Sequence, residues 1–323
     1  MQTAIRFDPE RLPPETRALR DEVRAFLAEE AARGTLNPDA PWRNARYDRA
    51  FSKRVAAKGW IGMTWPKTFG GQARSFLDRY VVTEEFLAAN APTGSHFVAD
   101  RQSGPVIMRY ADAETQARLL PQIISGDLTF CIGMSEPGSG SDLFAARTKA
   151  ERGAEGWIVN GTKIWTSLAE RADYMIGLFR TSAPTSENHR HGLTQFLVDM
   201  KTPGISVSPI RNMTGGSEFY EVQFTDVVLP ANAVLGTVDE AWKQATAELA
   251  YERSGPERFL ETYFVLEALL RVLGGAPDVR TAEAVGRLVA QIHTLRRMSV
   301  SVAGMLEQGQ SPVREAAIVK DMA

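Results

Sequence analysis

Small, hydroxyl-bearing and acidic residues concentrate in one stretch, Cys131-Ile-Gly-Met-Ser-Glu-Pro-Gly-Ser-Gly-Ser-Asp142. After Pro137 glycine and serine alternate, so the backbone can turn sharply and come close to a ligand with no Cβ in the way. Such a loop offers N–H groups and short hydroxyls to the polar edge of a cofactor or to a phosphate, although alone it also reads as an ordinary polar loop. Further on, Trp157-Ile-Val-Asn-Gly-Thr-Lys-Ile-Trp-Thr-Ser167 sets Asn160-Gly161 between two β-rich runs, which predicts a hairpin turn at that dipeptide. The third candidate is Glu252. At about 100° per residue it falls within about 80° of the Trp242, Ala245 and Leu249 stripe, on the buried side of its predicted helix. Desolvation there would raise a carboxylate toward the working pH of a general base. Pattern alone leaves a second reading open, a Glu252–Arg253 surface pair or a salt bridge at the edge of the stripe. His189-Arg190-His191 falls short of the three or four protein ligands of a zinc site, so no metal is expected.

The elements that must position these residues follow from periodicity. From Pro13 to about Asp127 the period is helical: Leu19, Val23, Phe26 and Leu27 share a face of a helix opened by Pro13-Pro14, and Phe51 and Val55 mark a second helix that Gly59 stops. Helical runs follow over about 77–89, 106–110 and 114–124. After Gly126 the period becomes two. Tyr220, Val222 and Phe224 alternate with polar neighbours, and strands are predicted at 174–179, 194–199 and 205–208. From about Val238 long helices return, with Phe259–Leu273 strongly apolar and Val285, Leu288, Ile292, Leu295 and Val302 at bundle spacing. Ser311-Pro312 reads as a cap and first turn. The helix it opens reaches Ala323 with no stop signal, so the bundle is expected to be incomplete. The expected fold is α+β and multidomain: an N-terminal helical domain over 1–127, a central antiparallel β-barrel or sandwich over 128–236, and a C-terminal helical bundle over 237–323.

The chain has 323 residues, too many for one ordinary core, with 44% hydrophobic and 24% charged residues. A net charge of −2 gives no support for nucleic-acid binding or a polybasic membrane patch. Cys131 is the only cysteine, which excludes an internal disulfide and fits a reducing compartment. Neither an apolar signal core nor a membrane-length run is present in the sequence, so a cytoplasmic location without membrane partners is expected.

Taken as a pair, Ser135-Glu-Pro-Gly-Ser-Gly-Ser-Asp142 and Asn160-Gly-Thr-Lys-Ile-Trp-Thr-Ser167 resemble the two flavin-contacting segments of the acyl-CoA dehydrogenase family. Gly59-Trp-Ile-Gly-Met-Thr-Trp-Pro-Lys-Thr-Phe-Gly-Gly71 upstream and Val227-Val-Leu-Pro-Ala-Asn-Ala-Val-Leu-Gly236 downstream extend the resemblance in the family's order, almost end to end. The resemblance implies FAD as cofactor, an acyl-CoA as substrate and an electron-transfer flavoprotein or similar acceptor. It implies that Ile132, Gly133, Met134 and Ser135 meet the isoalloxazine together with Trp165, Thr166 and Ser167, with Ser135 and Ser167 donating to the ring edge. Trp165 would stack beside the ring; as a residue of a strand it equally reads as a core aromatic. Ser141 matches a position that contacts the acyl-CoA, while Glu136 and Asp142 read as turn and cap residues. In the branch that includes the isovaleryl- and long-chain enzymes the catalytic base comes from the helix matched by Leu249-Ala-Tyr-Glu-Arg253. This makes Glu252 the base, with Arg253 beside it balancing charge.

One departure stands out. In most of the family an Arg-x-Gln-Phe-Gly segment sends an arginine to the flavin pyrophosphate of the neighbouring subunit, whereas here the region reads Leu270-Arg-Val-Leu-Gly-Gly-Ala-Pro-Asp-Val279. Loss of a charge-assisted contact there puts in doubt whether the chain holds FAD alone. The pattern is similar to subunits of bacterial heteromeric acyl-CoA dehydrogenases, including those of steroid side-chain breakdown. A homo-oligomer, or a heteromer with a second acyl-CoA dehydrogenase-like subunit, is therefore expected. Two alternatives remain: a non-catalytic structural subunit, and a flavin oxidase or monooxygenase of the same fold.

Overall fold

The computed structural model describes residues 5–8, 11–36, 47–185, 190–213, 215–242, 244 and 255–323. In chain order the helices α1 (Thr16–Ala32), α2 (Arg49–Ala57), α3 (Phe76–Ala88), α4 (Gly94–Val98), α5 (Gly104–Tyr110) and α6 (Ala113–Ile124) precede the strands. These are β1 (Phe130–Gly133), β2 (Lys149–Arg152), β3 (Gly156–Ser167), β4 (Tyr174–Arg180), β5 (Leu193–Asp199), β6 (Ile205–Arg211), β7 (Ser217–Pro230) and β8 (Val234–Leu235). Helices α7 (Glu257–Leu260), α8 (Tyr263–Leu273), α9 (Val279–Glu307) and α10 (Val313–Met322) close the order. A helical N-terminal region, a central sheet and C-terminal helices thus succeed one another, as the periodicity predicts. By compactness the chain divides into two units, one of Met1–Arg43, Ala73–Pro92 and Leu249–Ala323, the other of Asn44–Gln72 and Thr93–Glu248. Among the described residues no helix is long and apolar enough to cross a membrane.

Local chemistry starts and stops these elements. Asp48, Asp112 and Asp278 cap α2, α6 and α9 by accepting from backbone N–H groups of the first turn, and Gly59 ends the α2 segment in left-handed conformation at φ 71°. The turn expected of Ser311 is made differently: its carbonyl accepts from Val313 N, and Pro312 precedes the first helical residue without a side-chain cap.

In the purely helical unit, α3 and the C-terminal helices pack through apolar clusters such as Leu87, Phe259, Leu260 and Leu295, and Val302, Ala316 and Val319. An ion network around two buried glutamates joins α1, α3 and α9. Glu84 accepts from Arg20 at 2.8 Å and from Arg296 at 2.5 and 3.0 Å, while Glu85 accepts from Arg20 and Arg24. Helix α8, by contrast, has no buried residue, and α9 buries its side chains only from Leu295 onward.

In the other unit the strands form one sheet in the order β6-β7-β3-β2-β4-β5-β8, with β1 paired to β4. The expectation of an antiparallel sheet holds for most pairings. β1 is the difference: it runs parallel to β4, from Phe130↔Tyr174 to Gly133↔Gly177, and β2 meets β4 in parallel at Lys149↔Arg180. Parallel neighbours need a long crossover, and the chain between β1 and β4 supplies one by building the β2–β3 hairpin on the way. Trp157, Phe179, Phe196, Val222 and Phe224 fill the core on one face, with Phe179 5.5 Å from Phe196 and 5.3 Å from Phe224. Each such ring contributes about 1.5–3 kcal/mol on full burial.

The hairpin predicted at Asn160-Gly161 is not a turn. Both residues lie inside the continuous strand β3, and the β2–β3 turn is closed instead by Gly153 N donating to Gly156 O at 2.8 Å. Asn160-Gly161 marks a bulge. Between Val159↔Val227 and Gly161↔Phe224 strand β7 carries one extra residue, and Asp226 there takes a left-handed φ of 50°. The Asn160 side chain clamps it, accepting from Asp226 N at 2.8 Å and donating to Asp226 Oδ1 at 3.0 Å. Glycine is needed at 161 because a Cβ would sit 2.7 Å from Thr148 Cα.

Candidate functional site

Ile132 and Gly133 end β1, Met134 and Ser135 follow it half-exposed, and Trp165, Thr166 and Ser167 end β3. The structure brings these segments together: Ile164 N donates to Ser135 O at 2.9 Å, and Lys163 Nζ donates to Met134 O at 3.2 Å. Lys163 also pairs with Glu136 Oε1 at 2.7 Å, both side chains being buried. Both Glu136 oxygens are engaged, accepting further from Arg147 N at 2.6 Å and Thr148 N at 3.0 Å. It is thus a turn and tethering residue, and Asp142 is a cap that accepts from Phe144 N.

Electrostatics agree with the geometry. Burial alone would raise the Glu136 carboxyl, but the Lys163 ammonium and the backbone donors together hold it below its ordinary value. Burial lowers Lys163 to about 8 against the opposing pull of Glu136, so the ammonium persists at neutral pH.

A second bulge sets the direction of Trp165. Along β3 the inward positions are Trp157, Val159 and Lys163, and strict alternation would bury residue 165 too. Between Lys163↔Val222 and Thr166↔Tyr220, however, β3 carries one extra residue. The parity flips, Thr166 turns inward and Trp165 points out, 56% exposed, with a left-handed φ of 60°. Trp165 is therefore not a core aromatic. Its ring meets Phe219 edge-on at 6.0 Å. Phe219, a large hydrophobic residue that is also exposed, extends the surface beside it and was not singled out by sequence.

The loop between the two segments is tight. Glu136 N donates to Ser139 O at 2.8 Å and Ser139 N to Glu136 O at 3.0 Å, closing a turn over Pro137 and Gly138. A Cβ on Gly138 or Gly140 would meet open space, and neither has a positive φ. Neither strain nor crowding within the chain demands glycine there. Ser141 lies exposed in the same loop. Thr166 Oγ1 is buried with no hydrogen-bond partner among the described residues. An exposed aromatic face, half-exposed serines and an open glycine loop fit the planar, polar-edged ring of a flavin. Glu252 and Arg253 lie outside the described residues.

Lys163 is the residue that sequence reading missed. Its signal was available: a lysine at an inward position of an alternating strand needs a buried partner. The partner lies 27 residues away in sequence, with the β2 crossover between.

The comparisons with known proteins converge. Residues 13–127 match the family model of the acyl-CoA dehydrogenase N-terminal domain, and residues 131–227 match that of the acyl-CoA dehydrogenase middle domain. The chain is 32% identical over 320 residues to acyl-CoA dehydrogenase IpdE1 of Mycolicibacterium smegmatis, covering 93% of this chain and 81% of that one. It is 33% identical over 307 residues to acyl-CoA dehydrogenase FadE34 of Mycobacterium tuberculosis, covering 95% of this chain but only 41% of the relative. Among solved structures it resembles a chain of the Tcur3481-Tcur3483 steroid ACAD with a TM-score of 0.84 and 29% identity, covering 98% of this chain and 82% of that one.

Proposed function

The chain belongs to the acyl-CoA dehydrogenase family, and on that premise we propose that it dehydrogenates an acyl-CoA thioester between its α and β carbons with FAD as cofactor. The observation that carries the proposal is the joined pair of segments, in which an exposed Trp165 at the end of β3 and a half-exposed Ser135 just after β1 are tied by the Ile164–Ser135 hydrogen bond. Ile132 to Ser135 and Trp165 to Ser167 would hold the ring. FAD, when bound, supplies the acceptor for the β-hydrogen. The Ser135 and Ser167 hydroxyls donate toward the ring edge and stabilise negative charge that develops there. Trp165 covers one side and excludes water. Ser141 contacts the acyl-CoA. Glu252 removes the α proton, and Arg253 beside it balances the charge of the site.

The visible spectrum of the purified protein, before and after anaerobic addition of straight-chain, branched and steroid-type acyl-CoAs, tests this reading. Flavin absorbance bleached by a thioester supports it; absence of flavin, alone and with a co-expressed partner, refutes it. Rapid reaction of the reduced protein with oxygen would instead indicate an oxidase or monooxygenase. Glu252→Gln keeps shape but cannot take a proton, so substrate-driven bleaching should slow by about 10²–10⁴-fold while flavin stays bound. A variant that bleaches at the parent rate removes Glu252 from the base role.

The same reading includes a cytoplasmic location, an electron-transfer flavoprotein or similar acceptor, and an oligomer. For the oligomer the supporting observation is α8, whose Val265, Leu269 and Val272 are 53%, 41% and 86% exposed. A helix that leaves this much apolar surface exposed is more stable when covered. A second, unlike acyl-CoA dehydrogenase chain is the partner proposed, since the steroid ACAD that this chain resembles is named for two components. If Glu252→Gln leaves the co-expressed complex fully active, this chain is its structural subunit.

A further inference from the structure

We propose that Lys163 and Glu136 are positioning residues for the flavin: their buried ion pair, closed over the Met134 carbonyl, holds the Cys131–Glu136 and Gly161–Ser167 segments at the spacing at which both face the ring. This rests on the reading that FAD binds at those segments.

Three successive residues of the loop are bonded to two successive residues of β3. Lys163 Nζ donates to Met134 O and to Glu136 Oε1, and Ile164 N donates to Ser135 O. A trans peptide sets its N–H opposite its C=O. With the Met134 carbonyl turned to a fully buried ammonium, the Ser135 N–H is turned away from that ammonium. The ion pair thereby fixes the peptide plane of the residue whose hydroxyl serves the ring edge.

Stability alone does not call for such a pair. Withdrawing an ammonium and a carboxylate from water costs about as much as their attraction returns, and apolar side chains of similar volume serve packing as well. The surroundings are suited to apolar replacement: the Phe179 ring centroid lies 5.6 Å from Lys163 Nζ, and Cys131 and Met175 are fully buried. What apolar contacts lack is direction. The charged pair specifies which oxygen faces inward, and it is complete, since both Glu136 oxygens and the ammonium are bonded. Arg180, the other cation that acts on Lys163, donates to the carbonyls of Ala146 and His191, so the ammonium remains the partner of Glu136.

The test uses the flavin-bearing protein, with its partner subunit if flavin uptake requires one. The parent, Lys163→Met, Glu136→Gln and the double variant are stripped of flavin and titrated with FAD, and the visible band and the exchange rate of the Ile164 amide are recorded. Leu229→Ala, at a buried position of the same sheet opposite Trp157, is the control for loss of stability. Each single variant should raise the FAD dissociation constant by about tenfold or more, shift the flavin band and speed Ile164 exchange. The double variant should be no worse than the worse single, because the pair acts as a unit. Leu229→Ala should lower Tm without these changes. If Lys163→Met fails to fold, Glu136→Gln carries the same comparison. Variants that lose Tm as the control does, with parental FAD affinity and spectrum, overturn the proposal and leave the flavin reading standing. A parent that takes up no FAD overturns both.

Discussion

Replacing Trp165 separates what the fold needs at that position from what the site needs. The residue stands at φ 60°, a conformation that costs a non-glycine residue about 1 kcal/mol or more. It is 56% exposed, so it removes roughly 100 Å² from water, equivalent to about 2 kcal/mol as an upper figure. Trp165→Ala loses most of that contact and keeps the strain, which predicts a loss of roughly 1–2 kcal/mol. Trp165→Gly loses the same contact but relieves the strain, and should be more stable than the alanine variant by about 1 kcal/mol, close to the parent. Flavin binding should move otherwise: both variants lack the aromatic face, and the FAD dissociation constant should rise about tenfold in each, or about 1.4 kcal/mol. Urea denaturation of the flavin-free protein and FAD titration measure the two quantities. Equal stability of the alanine and glycine variants would refute the strain argument, and parental FAD affinity in both would refute the placement of Trp165 at the ring.

Two further outcomes follow from buried contacts. Burial alone would raise the Glu84 carboxyl, but hydrogen bonds and charge from Arg296 and Arg20 outweigh it and hold it below the usual carboxylate range. Its contribution is therefore present above the unfolded-state pKa and lost as pH falls through the folded-state pKa. Glu84→Gln should cost about 2–4 kcal/mol at pH 7, less than a fully enclosed pair because Arg296 is 35% exposed and Arg20 keeps Glu85. It should also flatten the acid limb of the stability profile; an unchanged limb in denaturation between pH 3 and about 6 would remove Glu84 from it. Gly161→Ala should lose about 2–4 kcal/mol, since its Cβ would meet Thr148 and its backbone holds φ 142°. A loss under about 0.5 kcal/mol would restore the hairpin-tip reading of Asn160-Gly161.

How far the sequence reveals the site depends on how locally each feature is determined. Alternation marked Tyr220 to Phe224 as a strand because each side chain there has one solvated and one buried choice, and Tyr174 to Phe179 was legible as a short apolar run, which the sheet buries on both faces. The loop at Ser135 and the Trp165 strand end were likewise visible, as residue types in order. Two things were not. A bulge is one extra residue opposite a partner strand, so it exists only in the pairing. Asn160-Gly161 has the same composition whether it turns a hairpin or clamps Asp226, and Trp165 faces the core or solvent according to one residue of register against β7. The other hidden feature is the tether. Glu136 and Lys163 each look ordinary in isolation, a turn acid and a strand lysine, and only the crossover between β1 and β3 makes them mutual ligands. Both failures have one cause: the chemistry of this site is set by which backbone atoms are brought opposite each other. That is why substitutions at Lys163, which carries no reacting atom, are expected to reach the flavin through geometry.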